Sequence, residues 1–476
     1  MRKRLLGTIA AVAAGAGSAW GQSPPPPMPI GPSGGYPGAA MAQGLGQPPP
    51  PLGMGGGMGP MGGDPGQFAG GPGGPGDMPG YPPPGQYGQQ QWEAPFVGSS
   101  GANSRLAPKM WLTGEYLLWF AKSEPTMYPF VTTSAPGGGG VLGSPSTTVL
   151  HSNSNLGFNL FSGFRVTGGY FADDDRRFGL YMSGFLTEQK SNVYNNSSDA
   201  RGTPLIARPF IDANTNAQSA LLVSFPTFTS GHVTVIARNR TYSVEGGPIV
   251  NLFRSNPEEC TTLYEVNALA GFRFLQLRET LRMEQETTLL GGATAPYNGT
   301  LVGSPARLGV SDEFDAQNRF YGGQVGLQGT LYHDRWSLGL GGKVAIGVMT
   351  ERLDVNGFST QTSTAPTTSA ATVGGLFANA SNIGRYNNDV FAVIPEFQGT
   401  LGRQWTSWLS TSFGYTFLYA SRTLRPGNQY SPVVNTSIIP TSPSFGIGGA
   451  IATPNPLLTQ SSYWLQGVSF GLNIRY

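Results

Sequence analysis

From Tyr463 to Tyr476 the chain alternates. Trp464, Val468, Phe470, Leu472, Ile474 and Tyr476 hold the even positions, with Gln466 their one polar member. Gly467, Ser469, Gly471, Asn473 and Arg475 hold the odd positions. Successive side chains of a strand point to opposite faces, so this pattern predicts a strand with one oily face and one wet face. Such a strand at a chain end leaves an open edge unless it pairs to close a barrel. The same alternation begins at Met110. In Trp111–Phe120, Leu112, Tyr116, Leu118 and Phe120 oppose Thr113 and Glu115. Next, Phe164, Val166 and Tyr170 oppose Gly163, Arg165, Thr167 and Gly169. Further strands are expected at Phe178–Leu186, His232–Phe253, Thr262–Glu286, Phe320–Tyr332, Trp336–Val348, Phe391–Leu401 and Leu409–Tyr419. With the last segment that makes about ten, or twelve or more if His232–Phe253 and Thr262–Glu286 each merge two.

The connections carry a second pattern. Asp173-Asp174-Asp175, Ser255-Asn256-Pro257-Glu258, His333-Asp334-Arg335 and Gly402-Arg403-Gln404 read as short turns. Long Ser-, Thr- and Asn-rich segments alternate with them, chiefly Asn192–Ser230, Glu351–Asn388 and Thr423–Ser462, and these are expected as loops. Outer-membrane barrels have this rhythm of short periplasmic turns and long outer loops. A soluble β-sandwich has no reason to sort its loops by length. The expected fold is therefore all-β, a transmembrane antiparallel up-and-down barrel over residues 109–476. An even strand count puts both barrel ends on one side, so the N-terminal tail and the C-terminus are expected in the periplasm.

Charge sharpens this picture. Glu115, Arg165, Glu265, Arg273, Lys343, Glu396 and Arg475 all fall on the small or polar faces, and so are candidates to face the lumen. On the lipid face an Arg or Lys would cost roughly 2–4 kcal/mol at the midplane. Trp111, Trp119, Trp336, Trp405, Trp408 and Trp464 sit near strand ends, as interfacial anchors would. Barrel diameter grows with strand number, and a wide channel belongs to about 16 strands. Ten strands imply a narrow polar lumen, porin-like or structural in use. The alternative is an adhesin or binding surface carried on the long loops.

Several stretches resemble the planctomycete-type outer-membrane family known as beta-barrel porin family seven. They are Trp111-Leu112-Thr113-Gly114-Glu115-Tyr116-Leu117-Leu118-Trp119, Val141-Leu142-Gly143, Asn382-Ile383-Gly384-Arg385-Tyr386 and Phe391-Ala392-Val393-Ile394-Pro395-Glu396. Tyr321-Gly322-Gly323-Gln324 and Phe417-Leu418-Tyr419 also fit. The resemblance implies an outer-membrane β-barrel and brings no catalytic residues with it. It covers the chain from Met110 to Tyr476. The C-terminal strand, through Trp464, Phe470 and Tyr476, resembles the signal by which outer-membrane barrels engage their assembly machinery.

The residues before Met110 are of another kind. Arg2, Lys3 and Arg4 followed by apolar Leu5–Ala14 predict a cleaved signal peptide over residues 1–21, too short to span a bilayer as a helix. Residues 22–108 are Pro-, Gly-, Met- and Gln-rich, and predict a disordered periplasmic segment that binds too little apolar surface to fold. It is a tether or a contact to cell-wall or envelope components. Over the whole chain charged residues are only 11% and hydrophobic residues 39%, with a mean hydropathy of −0.16. That pairing suits a barrel, in which only alternate residues meet lipid. A net charge of +2 argues against nucleic acid as a partner. Outer-membrane lipid is the expected surrounding, and the cell outer membrane the expected location.

Candidate chemistry is sparse. A single cysteine, Cys260, excludes an internal disulfide. His151, His232 and His333 are far apart and lack partners at metal-ligand spacing. Asp312, Glu313 and Asp315 form a local acidic run, expected on a solvated loop face or at most as a weak cation site. No cofactor, metal or enzymatic activity is expected.

Overall fold

The computed structural model describes residues 109–151, 155–255, 262–364, 367–448 and 452–476. The expected signal peptide (1–21) and tail (22–108), Cys260 and the Asn256-Pro257-Glu258 part of one turn lie outside the described residues.

Ten strands form the wall. They are β1 (Met110–Ala121), β2 (Leu160–Phe171), β3 (Phe178–Thr187), β4 (Thr229–Arg254) and β5 (Thr262–Leu289), then β6 (Ala306–His333), β7 (Trp336–Thr364), β8 (Gly384–Gln404), β9 (Leu409–Leu424) and β10 (Gln460–Arg475). Each pairs antiparallel with the next, and β10 pairs with β1 from Trp111↔Arg475 to Ala121↔Leu465, so the sheet closes on itself. Segments His232–Phe253 and Thr262–Glu286 each lie within one strand, which settles the count at ten. Short turns gather at the end that carries Met110 and Arg475; the long connections gather at the other. We call these the turn end and the loop end.

The strands are longer than alternation alone implied. β4 to β7 have 26, 28, 28 and 29 residues, more than twice the roughly 9–11 that cross a bilayer. The first half of this length obeys the expected rule. On β5, Tyr264, Val266, Ala268, Ala270, Phe272 and Phe274 point out, and Glu265, Asn267 and Arg273 point in. Past Phe274 the rule inverts. Gln276, Arg278, Arg282, Glu284 and Glu286 now point out, while Leu277, Leu281, Met283 and Leu289 are buried inside. β6 inverts at the same level: Arg319 and Tyr321 are outward neighbours, and Leu308, Val310, Phe314, Ala316 and Phe320 point in. Along β5 and β6 parity does not break at this level; only the media on the two sides exchange. An apolar band therefore girdles the turn half, and a water-facing extension stands beyond it.

This inversion corrects the expected loops. β6 starts at Ala306, not near Phe320, and β7 runs on to Thr364 through residues assigned to loop. Strands Lys190–Ser197, Ile206–Asp212, Ala217–Ser224 and Thr367–Val373 occupy further loop sequence. Lys190–Ser197 takes over from β3 along the upper part of β4, and Thr367–Val373 does the same from β8 along β7. Ser and Thr face water here, and β-branched Thr fits a strand well. Apolar side chains of these loops pack into the mouth of the barrel as one core, with Phe130, Phe210, Phe377 and Tyr430 among its buried members.

The tryptophans also divide. Trp336, Trp405 and Trp408 are half exposed at the turn end, as anchors are. Trp119 instead points inward and is fully buried, its ring 5.0 Å from that of Phe185. Trp111 packs against Phe171 with ring centroids 5.2 Å apart. Both sit at odd positions of β1, beside Glu115, and strand parity alone turns them inward.

Candidate functional site

The interior of the barrel has three levels. Nearest the turn end is a polar cavity of about 270 Å³. Glu115, Arg165, Glu265, Lys343 and Arg475 line it, with Thr and Ser hydroxyls between them. Above it, six charged groups from six different strands meet. Arg165 on β2 clasps Glu115 on β1, its Nη2 at 2.8 Å, and the same Nη2 donates to Thr416 on β9 at 3.2 Å. Ser469 on β10 donates to the same Glu115 at 2.8 Å. Arg273 on β5 reaches across to Glu396 on β8 and lies 3.3 Å from Glu245 on β4. Lys343 on β7 bonds Glu245 and lies 3.4 Å from Glu396. Three carboxylates and three cations thus neutralise one another in a nearly dry setting. Such a network is favourable only when every member has a partner, because removing one strands a buried charge.

The second level is apolar and is built by the wall itself. Leu117 and Trp119, Leu275 and Leu277, Phe320, Met349, Ile394, Leu418 and Leu465 point inward from seven strands and pack as one cluster. Tyr463 on β10 meets Thr241 on β4 at 3.1 Å, which is a bond straight across the lumen. Gly322 makes room in this layer: a Cβ there would lie 2.4 Å from the tip of the Phe320 ring. The expected narrow polar lumen is therefore corrected: its polar part is confined to the turn end. Ten strands enclose little more than the eight whose interior side chains already fill, and midway along this wall those side chains are large and oily.

The third level fastens the loops to the wall. Arg425, which begins the last long connection, makes a two-armed bond to Glu279 on β5, one arm at 2.7 Å, and both side chains are fully buried. Its Nη1 donates to the carbonyl of Ser123, and the Nη2 that holds Glu279 also donates to the carbonyl of Lys122, each at 3.1 Å. Glu124 beside it accepts from the Gly427 N–H at 2.9 Å. Burial, and then the nearby Glu279, push the Glu124 carboxyl well above the usual carboxylate range. A second buried pair joins Arg208, in strand Ile206–Asp212, to Asp312 on β6 at 2.6 Å. The other oxygen of Asp312 accepts the backbone N–H groups of Phe377 and Ala378, both at 2.8 Å.

Of the residues singled out from sequence, Glu115, Arg165, Arg273, Lys343 and Glu396 are brought together in the ion cluster. Glu265 stands apart from it, lower down, paired with Arg254 at 3.2 Å. Arg475 lies at the turn end, its guanidinium 6.0 Å from the centre of the Tyr332 ring. Phe470 and Tyr476 are exposed on the outer surface, and Trp464 faces outward between them and the loop end. The acidic run is corrected: it is strand, not loop. Asp312 points inward to Arg208, whereas Glu313 and Asp315 point outward, Asp315 to Arg278 at 2.6 Å. Sequence reasoning missed Glu245, Glu279, Arg208 and Arg425. Glu245 and Glu279 share inward parity with Ser243 and Arg273 on their own strands, so the signal was present. Arg208 and Arg425 gave none, because a loop cation is ordinarily solvated. The histidines are dispersed: His151 stacks on Tyr194 at 4.1 Å, and His333 sits at a turn beside Thr262. Among the described residues no group of His, Cys, Asp and Glu side chains is placed to hold a metal ion.

Comparison with known proteins gives one family. The family described as "Putative beta barrel porin-7 (BBP7)" matches residues 111–476. No curated protein matches the sequence. Among solved structures, the outer membrane protease OmpT from Escherichia coli aligns over 77% of this chain and 97% of its own, at 9% identity and a TM-score of 0.34. A FadL homologue from Pseudomonas aeruginosa aligns over 79% and 92%, at 10% identity and a TM-score of 0.20.

Proposed function

The chain belongs to the beta barrel porin-7 family, porin-like barrels of the outer membrane, and from that footing we propose that this member holds its lumen shut. One observation carries the reading: the wall's own side chains fill the bore, as the Tyr463–Thr241 bond across it illustrates. Moving the loops aside would leave that layer in place, so a loop-gated open channel is disfavoured. The barrel then serves as an anchor and as a stand for the water-facing extension. Both ends of the wall would lie in the periplasm and the extension outside. The polar cavity would be a blind vestibule, wetted from the periplasmic side. Outward-pointing Phe470 and Tyr476, with Trp464, would serve the assembly machinery as the handle on the last strand. Purified protein in planar lipid bilayers tests the central claim. No discrete conductance steps are expected, and steady single-channel steps would overturn it.

A binding role for the extension is the second reading. Its support is the packing of the loops into a cored cap, which presents a fixed surface outside the membrane. Intact cells treated with protease and then assayed for attachment to a surface test this reading. Attachment should fall as the loops are trimmed; attachment that survives their removal would count against it.

A further inference from the structure

The outer wall is uneven where the apolar band ends. On β4, β5 and β6 the last apolar row contains Tyr242, Phe274 and Tyr321. Their rings sit side by side, with centroids 5.9 Å and 5.1 Å apart. Directly above, on the same outward faces, stand Arg238 and Arg240 on β4, Arg278 on β5 and Arg319 on β6, all exposed. The carboxylates beside them already have cations: Asp315 is held by Arg278, Glu188 by Lys190 and Glu313 by Arg282. Arg319 has a neutral partner, donating to Gln276 at 3.2 Å. Arg238 and Arg240 have no carboxylate partner among the described residues. In the strand register Arg240 lies opposite Arg278, and like charges so placed repel. The next strands over are different: on β7 and β8, Arg352 and Arg385 share Asp354.

Depth identifies what would neutralise the excess. Arg319 and Arg240 are each two residues beyond an outward tyrosine of the apolar band, about 7 Å along the strand. The headgroup layer adds roughly 5–7 Å to each side of the hydrocarbon core. Their guanidinium groups therefore stand at the level of lipid phosphates, and the planar forks suit phosphate oxygens. The three rings beneath form a contiguous apolar row for an acyl chain, each tilted about 50° to the next. We propose that this patch binds the phosphate of an anionic lipid in the leaflet at the loop end, with the chain lying on Tyr242, Phe274 and Tyr321.

Native mass spectrometry of the full chain in detergent micelles tests the proposal, using phosphatidylglycerol and phosphatidylcholine of identical chains as probes. The wild type should retain phosphatidylglycerol about tenfold better than phosphatidylcholine, because only the former brings net negative charge to the arginines. An Arg240→Gln and Arg319→Gln double variant should lose that preference, while Arg385→Gln on β8, two strands beyond Arg319, keeps it. Excess inorganic phosphate should leave the lipid bound. Equal retention by wild type and double variant, or no preference between the two lipids, would overturn the proposal. So would displacement of the lipid by inorganic phosphate, which would mark a free-anion site. Heat-shifted gel migration checks that each variant is folded. Should the double variant fail that check, Arg319→Gln alone is read, with about a threefold loss expected and an unchanged preference counting against the proposal.

Discussion

The two halves of one strand follow opposite rules. Below Phe274, β5 turns its oily residues outward and its polar ones inward; above Gln276 it does the reverse. The lower half resembles a membrane protein and the upper half a soluble one, yet backbone pairing runs through both without a break in parity. Burial, not chemistry, is the common factor. Both halves bury charges inside the barrel, and each disposes of them in its own way. The lower half closes six of them into a network, whereas the upper half uses two isolated pairs to fasten loops to wall. Where a strand meets lipid, hydrophobicity marks the outside; where it meets water, hydrophobicity marks the core.

The largest expected effect comes from stranding a charge in the upper half. Glu279→Ala leaves Arg425 buried without its carboxylate, a change that costs about 3–5 kcal/mol in comparable sites. Amide exchange in the segment after Arg425 should rise steeply, while the lower half keeps its heat-shifted gel migration. If both halves loosen together, they form one cooperative unit and the division fails. A smaller effect locates the boundary on β7. Val344→Arg places a cation in the lipid band and should cost roughly 2–4 kcal/mol of folding stability in bilayers. Asn356→Arg, of the same outward parity twelve residues on, should fall within about 0.5 kcal/mol of wild type. Equal costs at the two sites would mean that the boundary is misplaced.

The smallest effect is on pH. Glu351 lies just above the apolar band of β7, fully buried, and accepts from Asn388 and Gln460, each at 3.1 Å. Burial outweighs those bonds and pushes its carboxyl up to about 6. An unfolded glutamate titrates near 4.3, so the folded state holds this proton more tightly. Its stabilising contribution is complete below about pH 4.3 and is lost as pH rises through 6, by about 2 kcal/mol at most. Amide exchange in the upper half should therefore slow between pH 7 and pH 5, after correction for intrinsic rates. Glu351→Gln should flatten that trend, and a variant as pH-sensitive as wild type would assign the effect elsewhere, with buried Glu124 the next residue to change.

How much was legible in the sequence follows the same division. The ten strands and most of the inward charges of the lower half follow from alternation, because lipid enforces it; Glu245 escaped it, and Gly402-Arg403-Gln404, expected as a turn, is the end of β8, with the turn at 405–408. Leu308, Val310 and Phe314 alternate just as regularly with Gly309, Ser311 and Glu313. Their polar partners and Ser- and Thr-rich surroundings nevertheless give them the appearance of loop. The closed bore was also hidden. Leu277, Phe320 and Met349 look ordinary one at a time, and only closure of the sheet sets them against Leu418 and Leu465. The pairs Arg208–Asp312 and Glu279–Arg425 join residues more than 100 positions apart, beyond the reach of any local pattern.

Asp312 binds a guanidinium from one long connection and two backbone amides from another. The exterior of this protein is therefore not a set of independent tassels free to drift in length and composition. Lengthening the chain at 375–379 would drag the carboxylate from Arg208 and disturb residues it never touches. Surface variation in this barrel, natural or engineered, has to change two connections in concert or avoid both.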